Sequence, residues 1–128
     1  MKALLDTHTF LWSNTDDPRL SRRVRDLIED GVNDLVFSAV SALEIAVKYA
    51  RRRLPIPEPP ETWVTRRVAL QGLRLLAVEM SHALRVADLP LHHNDPFDRL
   101  LIAQSQLENL PILTSDPNIA RYDVEVIW

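Results

Sequence analysis

Short extended stretches alternate with helix-like stretches along the whole chain, and that alternation constrains the fold more than any other feature. The first extended stretch, Lys2–Leu5, runs through Ala3, Leu4 and Leu5 and stops at Asp6. A short run that is apolar throughout, rather than at every second residue, is buried on both faces, as strands of parallel sheets are. Leu35–Ser38, Arg74–Val78, Pro111–Thr114 and Val124–Trp128 are the other predicted strands. Between them the sequence predicts helices over Thr7–Ser13, Pro18–Asp30, Ala39–Arg53, Glu61–Gln71, Ser81–Ala87 and Pro96–Glu108, and a single turn over Pro117–Arg121. The second helix carries Leu20, Val24, Leu27 and Ile28 on one stripe, arginines on the other, and ends near Gly31. The third is mostly apolar with a basic end, which suits the helix dipole. The prolines of Pro55–Pro60 break it into a loop, and His92–Asp95 is a second loop. Such alternation implies an α/β fold in three layers, a parallel sheet of four to five strands with helices on both faces.

Composition narrows the chemistry. At roughly 150 residues per domain, the 128 residues predict one domain over residues 1–128. Cys 0 excludes disulfides, Cys-zinc sites, iron–sulfur clusters and a Cys nucleophile. Gly31 and Gly72 stand alone, so no glycine loop cradles a phosphate and no dinucleotide fingerprint is present. No apolar run approaches ~18 residues, so no membrane span is expected. The opening Met-Lys-Ala-Leu-Leu-Asp meets an acid at once and does not read as a secretory signal, which makes the cytoplasm the expected compartment.

In a parallel sheet, ligands bind outside the carboxyl ends of the strands, where the strand order reverses. Acids collect there. Asp6 ends the first strand, Asp116 follows the fourth, Glu44 lies one and a half turns into the helix after the second, and Asp95 and Asp98 open the helix before the fourth. Capping accounts for some of them. Asp95-Pro96 and Asp116-Pro117 have the form of an N-cap with proline at N1, and Asp95 would make Asp98 the N3 residue of a capping box. Ser41-x-x-Glu44 also has capping-box form, although inside the predicted helix. Asp6 and Glu44 resist that reading. Asp6 interrupts a buried strand end, where a carboxylate is costly without compensation. Glu44 shares a helix face with Val40, Leu43 and Val47, which points it inward, and Lys48 is the first base to follow it. A hard divalent cation held by oxygen ligands suits the whole set, and Mg²⁺ uses one or two carboxylates directly.

The charge balance agrees. The net charge is −3, but without those five acids 13 acids face 15 bases, of which only Lys2 and Lys48 are lysines. The arginines cluster at Arg19, Arg22, Arg23 and Arg25, at Arg51–Arg53, and at Arg66 and Arg67. An acidic metal pocket in a mildly basic surface is what a metal-dependent nuclease needs, the metal holding the scissile phosphate while arginines track the backbone. Four histidines (His8, His82, His92 and His93) without cysteine do not make a zinc pattern. Trp12, Trp63 and Trp128 could stack on bases, or serve as core and helical packing.

Leu4-Leu5-Asp6-Thr7-His8-Thr9-Phe10-Leu11-Trp12 resembles the opening of PIN-domain ribonucleases, in particular the VapC-like toxins of type II toxin–antitoxin pairs. Ser38–Ala46 looks like their second acidic motif, His93–Gln104 their third and most specific, and Leu113-Thr114-Ser115-Asp116 their fourth. The resemblance runs in order over nearly the whole chain. It implies a PIN-like fold and Mg²⁺- or Mn²⁺-dependent endoribonuclease activity on RNA. It further implies a homodimer and inhibition by a cognate VapB-like antitoxin. Carried over position by position, Asp6, Glu44 and Asp98 would be the core metal-binding acids, and Asp116 the fourth. Asp95 belongs to the motif either as a ligand or as the N-cap. Thr114, beside the fourth acid, fits the pattern, and Arg99 is expected to pair with a neighbouring carboxylate. The helices around Ala39–Gln71, with the proline loop between them, are the expected dimer or antitoxin surface.

Two rivals remain on sequence grounds. An aspartate-based phosphotransfer domain also places Asp after its first strand. The phosphatase version needs an acid two residues later, where His8 stands, and the receiver version needs a late lysine, and none follows Lys48. A catalytically silent PIN module would act only by binding a partner, and intact acids argue against it.

Overall fold

The structure is a computed structural model that describes every residue from Met1 to Trp128. Five strands, β1 (Lys2–Leu5), β2 (Asp34–Ser38), β3 (Arg74–Leu76), β4 (Ile112–Leu113) and β5 (Val126–Ile127), form one sheet. The order is β3-β2-β1-β4-β5 and every pairing is parallel. Seven helices surround it: α1 (Thr7–Asn14), α2 (Arg22–Glu29), α3 (Ala39–Ala50), α4 (Pro60–Leu70), α5 (Met80–Arg85), α6 (Pro96–Glu108) and α7 (Pro117–Ala120), with a 3₁₀ turn at Val86–Asp88.

Side chains that alternate along each strand divide the interior in two. Ala3, Leu5, Leu35, Phe37 and Leu113 face one way, against Phe10 of α1, Val24 of α2, Ile45 of α3, and Trp63, Val64 and Val68 of α4. Leu4, Val36 and Ile112 face the other, against Val40 of α3, Leu101 and Ile102 of α6, Ile119 of α7 and Tyr122. The uniformly apolar strand sequences are thus the consequence of helices on both faces.

Element ends differ from the sequence expectation where side chains cap or strain the backbone. The second helix begins at Arg22 rather than Pro18, because Ser21 caps it by accepting from Val24 N at 3.1 Å. The preceding residues form a turn closed by Leu20 N on Asp17 O. That helix ends at Glu29, with Asp30 rather than Gly31 at its C-cap. α3 ends at Ala50, three residues early. Arg52 turns left-handed (φ 55°), and the Arg52 and Arg53 amides close back onto Tyr49 O and Lys48 O at 2.9 and 2.8 Å. This is the Schellman arrangement with arginine in the place glycine usually holds. α4 and α5 each start one residue early, and the last residues expected of α5 wind instead into the 3₁₀ turn. β3 pairs only as far as Leu76, because its neighbour β2 hands over to α3 after Ser38.

α4 ends in the same motif built on Gly72 (φ 63°), whose amide and that of Leu73 close onto Ala69 O and Val68 O. No neighbouring atom lies within 4 Å of where a Cβ would stand there. Gly72→Ala is therefore opposed by its backbone conformation alone, at roughly 1 kcal/mol. Urea unfolding should show that loss with an unchanged m-value.

Candidate active site

β1 is the switch point of the sheet: the chain builds β2 and β3 on one side of it, then returns to build β4 and β5 on the other. The crevice at its carboxyl end is where a ligand site is expected. Asp6 stands there as the first residue beyond β1. It occupies the N-cap position of α1, but its side chain makes no cap bond, which leaves the carboxylate free for another role. It is 3% exposed. Thr114, the residue after β4, donates its hydroxyl to Asp6 Oδ2 at 2.8 Å, and the Asp116 amide donates to Thr114 Oγ1 at 3.0 Å. One hydroxyl therefore links the Asp6 carboxylate to the backbone of Asp116.

Glu44 enters from α3 and is 2% exposed. Lys48, one turn on, donates Nζ to its Oε2 at 2.5 Å. Its Oε1 is the one buried side-chain polar atom in the molecule with no hydrogen-bond partner. Ser38 caps α3 through Val40 N, and Ser41 lies within the helix, accepting from Thr7 Oγ1 at 2.8 Å, so the Ser41–Glu44 capping box is not formed. The inward face is also narrower than periodicity suggested: Val40 and Glu44 are buried, whereas Leu43 is 55% exposed.

Asp98 is the third residue of α6 and is buried. Asp95 caps that helix, accepting from Phe97 N at 2.9 Å and Asp98 N at 3.1 Å. The Asp98 carboxylate does not return the bond as a capping box would; its Oδ2 lies 3.1 Å from His93 Nε2. Asp116 caps α7 by accepting from Asn118 N at 2.9 Å.

These acids share one field. Burial pushes the Asp6 carboxyl above its ordinary range and Glu44 adds to the push, while Thr114 and His8 oppose it. Burial pushes Asp98 up to about 7 against the His93 contact, and Asp95, Asp6 and Asp116 raise it further by repulsion. The carboxylates do not already close around one point as a cage of three or more ligands. The donor set is nonetheless one that fits a hard divalent cation: oxygen only, mutually repelling, largely withdrawn from water, and with an orphaned acceptor on Glu44.

Arg99 corrects an expectation. It pairs with no carboxylate. Buried, it donates to the carbonyls of Pro90, Val86 and Leu89 and to the Tyr122 hydroxyl at 2.9 Å. Tyr122 Oη lies 2.8 Å from His93 Nδ1, so a chain of contacts runs from Arg99 through Tyr122 and His93 to Asp98. Nothing in the spacing of the sequence joins Tyr122 to that site. The histidines part company: His93 touches Asp98, exposed His8 acts on Asp6 through charge, His92 packs on Tyr122, and buried His82 completes a capping box with Glu79.

A parallel α/β sheet whose switch point gathers buried carboxylates defines a class of acid-centred α/β proteins. The PIN domain family model matches residues 3–125, and the chain belongs to that family. Among curated proteins it is similar to ribonuclease VapC16 of Mycobacterium tuberculosis, 36% identical over 69 residues, covering 51% of this chain and about half (49%) of that protein. It is also similar to ribonuclease VapC22 of the same organism, 27% identical over 115 residues, covering 89% and 86%. Among solved structures its fold matches a chain of the VapBC2 complex of Rickettsia felis bound to promoter DNA, with a TM-score of 0.71 at 12% identity, covering 99% of this chain and 98% of that one. It likewise matches a chain of FitAcB from Neisseria gonorrhoeae, at 0.66 and 20%, covering 100% and 97%.

The Asp98 shift has a consequence for stability. Its carboxyl is held at about 7 in the fold against 3.8 ordinarily, so the folded state binds the proton more tightly. Stability from this group is full below pH ~4 and is lost as pH rises through about 7. In chelator, the melting temperature of Asp98→Asn should gain on wild type between pH ~5 and pH ~7 and level off above that. A difference that stays constant with pH would remove the shift.

Proposed function

We propose that this chain is a metal-dependent endoribonuclease, the toxin of a type II toxin–antitoxin pair. The observation that carries the reading is the buried, partnerless Glu44 Oε1 in a cluster where burial and neighbouring acids push up the Asp6 and Asp98 carboxyls. A folded chain keeps such a cluster only where something compensates it. The ribonuclease names of the two similar mycobacterial proteins support RNA as the substrate, and a toxin–antitoxin complex from Klebsiella pneumoniae among the structural matches supports an antitoxin partner.

Asp6, Glu44 and Asp98 would hold the metal, Mg²⁺ or Mn²⁺, with Asp116 more distant, and Asp95 acting as the helix cap. When bound, the metal supplies a water of lowered pKa and neutralises charge at the phosphate. The chain's own part is positional. Thr114 fixes the Asp6 carboxylate, and the contacts through His93 aim Asp98. Burial keeps water from competing for either. The basic surface draws the RNA backbone towards the acids.

An apolar cleft of about 580 Å³ between α3, α4 and β3, lined by residues including Ala42, Val64, Val68, Leu73 and Leu75, supports the same region as a protein-binding face. It suits a VapB-like antitoxin helix, with a second copy of the chain completing a homodimer. No helix is long and apolar enough to cross a membrane, and the cytoplasm remains the proposed compartment.

Cleavage of total RNA with Mg²⁺, Mn²⁺ or chelator tests the reading. Asp6→Asn, Glu44→Gln and Asp98→Asn should each lose at least ~100-fold in rate, more than removal of an outer partner costs. Asp95→Asn should keep most activity, because Asn caps about as well as Asp. Metal-dependent cleavage by all three of the first variants would move the site elsewhere. Divalent metal at 100 times Kd should also stabilise the wild type by about 2.7 kcal/mol, a melting rise on the order of 10 °C, and raise Asp98→Asn much less.

A further inference from the structure

Beside the acids lies a second cleft of about 630 Å³, bounded by α1, the end of α3 and the start of the proline loop. Its floor is apolar, made by Leu11, Trp12, Leu54, Pro55 and Ile56. Its rim carries three cations, Arg19, Lys48 and Arg53, with His8 beside them, against the single acid Asp17. Two rim residues reach the candidate active site. His8 stands two residues beyond Asp6, in the first turn of α1, and Lys48 donates Nζ to Glu44 Oε2 at 2.5 Å. The cleft is therefore continuous with the acids rather than a remote patch.

Its interior has the parts of a nucleotide seat. Trp12 is half-buried, with Trp128 set edge-on at 5.9 Å and the Arg19 guanidinium 4.7 Å from its ring centroid. Asp17 grips that guanidinium with both oxygens, at 3.0 and 2.7 Å, so the arginine is fixed over the indole and the one acid of the cleft is already neutralised. Indole and guanidinium planes are the surfaces on which unpaired bases stack. Arg53 joins none of the molecule's ion pairs. The left-handed turn at Arg52 folds its backbone back onto Lys48, whose carbonyl accepts from the Arg53 amide at 2.8 Å. A non-glycine residue holds that backbone only at a cost.

We propose that this cleft seats the nucleotide adjoining the scissile phosphate of single-stranded RNA. Its base stacks on the Trp12–Arg19 platform, and Arg53, with Lys48, holds its phosphate. The inference rests on the reading of the acids as a ribonuclease centre and adds the substrate subsite that the acids alone do not define. Stacking accepts any base, so the seat sets position along the strand rather than sequence.

The test is anisotropy titration of fluorescein-labelled oligouridylate and oligoadenylate eight-mers in chelator, followed by steady-state cleavage with Mn²⁺. Arg53→Ala should weaken binding about tenfold and lower the slope of log Kd against log salt by ~0.7, the share of one single-strand phosphate. Arg53→Lys should recover most of the slope. Trp12→Leu should weaken binding about tenfold with the slope unchanged, and Trp12→Phe should restore most of it. In cleavage the loss should fall on KM, with kcat within twofold. Exposed Arg53 carries no core packing, so its variants test the cleft even if Trp12→Leu folds poorly. Binding within twofold of wild type in both Arg53→Ala and Trp12→Leu overturns the proposal, and is also the outcome if the cleft takes a peptide. If the wild type cleaves no RNA yet binds the eight-mers through Arg53 and Trp12, the seat stands and the ribonuclease reading falls. If it cleaves RNA while both variants bind normally, the reverse holds.

Discussion

Three carboxylates buried at one edge of a sheet repel each other in a medium that screens charge poorly, and the rest of the structure is arranged around that repulsion. Asp6, Glu44 and Asp98 come from three different elements, so only the folded sheet brings them together. None is left without local support. Thr114 holds Asp6, Lys48 holds Glu44, and His93 stands beside Asp98. Each support engages a single oxygen of its acid. The electrostatic strain is thus contained rather than removed, and the proposed divalent cation would relieve it.

The scaffold supplies rigidity at that point. β1, which delivers Asp6, is the central strand, flanked by β2 and β4 and covered on both faces. Thr114 belongs to the chain segment beside it, so the brace between Thr114 and Asp6 spans the switch point itself. Helix caps do parallel work. Asp95 fixes the first turn of α6 and with it the position of Asp98, while Asp116 fixes α7 and is tied to Thr114 through its own amide. The capping and ligand readings of an acid are therefore different uses of one device, a carboxylate placed at a helix start.

Much of this was legible in the sequence because it is local. Ala3-Leu4-Leu5 before Asp6 reads as a buried strand with a costly end, and Asp-Pro pairs read as helix starts. The parallel sheet follows from the spacing of strands and helices. Element ends were less legible, since the left-handed Arg52 and the cap at Ser21 are decided by hydrogen bonds that no periodicity encodes. Partners distant in sequence were not legible. Arg99 finds backbone carbonyls instead of a carboxylate because the loop before α6 folds over it, and Tyr122 joins His93 only through the return of the chain after α7. Trp12 illustrates the remaining ambiguity: its apolar ring suits a core, yet it lines an open cleft, whereas Trp63 is 5% exposed against Phe10.

Anomalous diffraction from crystals equilibrated with Mn²⁺ addresses the central claim directly. If Asp6, Glu44 and Asp98 share a divalent cation, a peak should stand among their carboxylates, with at least one oxygen in direct contact at about 2.0–2.2 Å, a distance close to that of Mg²⁺. The Glu44 oxygen that now has no partner should face it. A peak remote from these three acids, or none at millimolar Mn²⁺, would show that the cluster is compensated by its local partners alone.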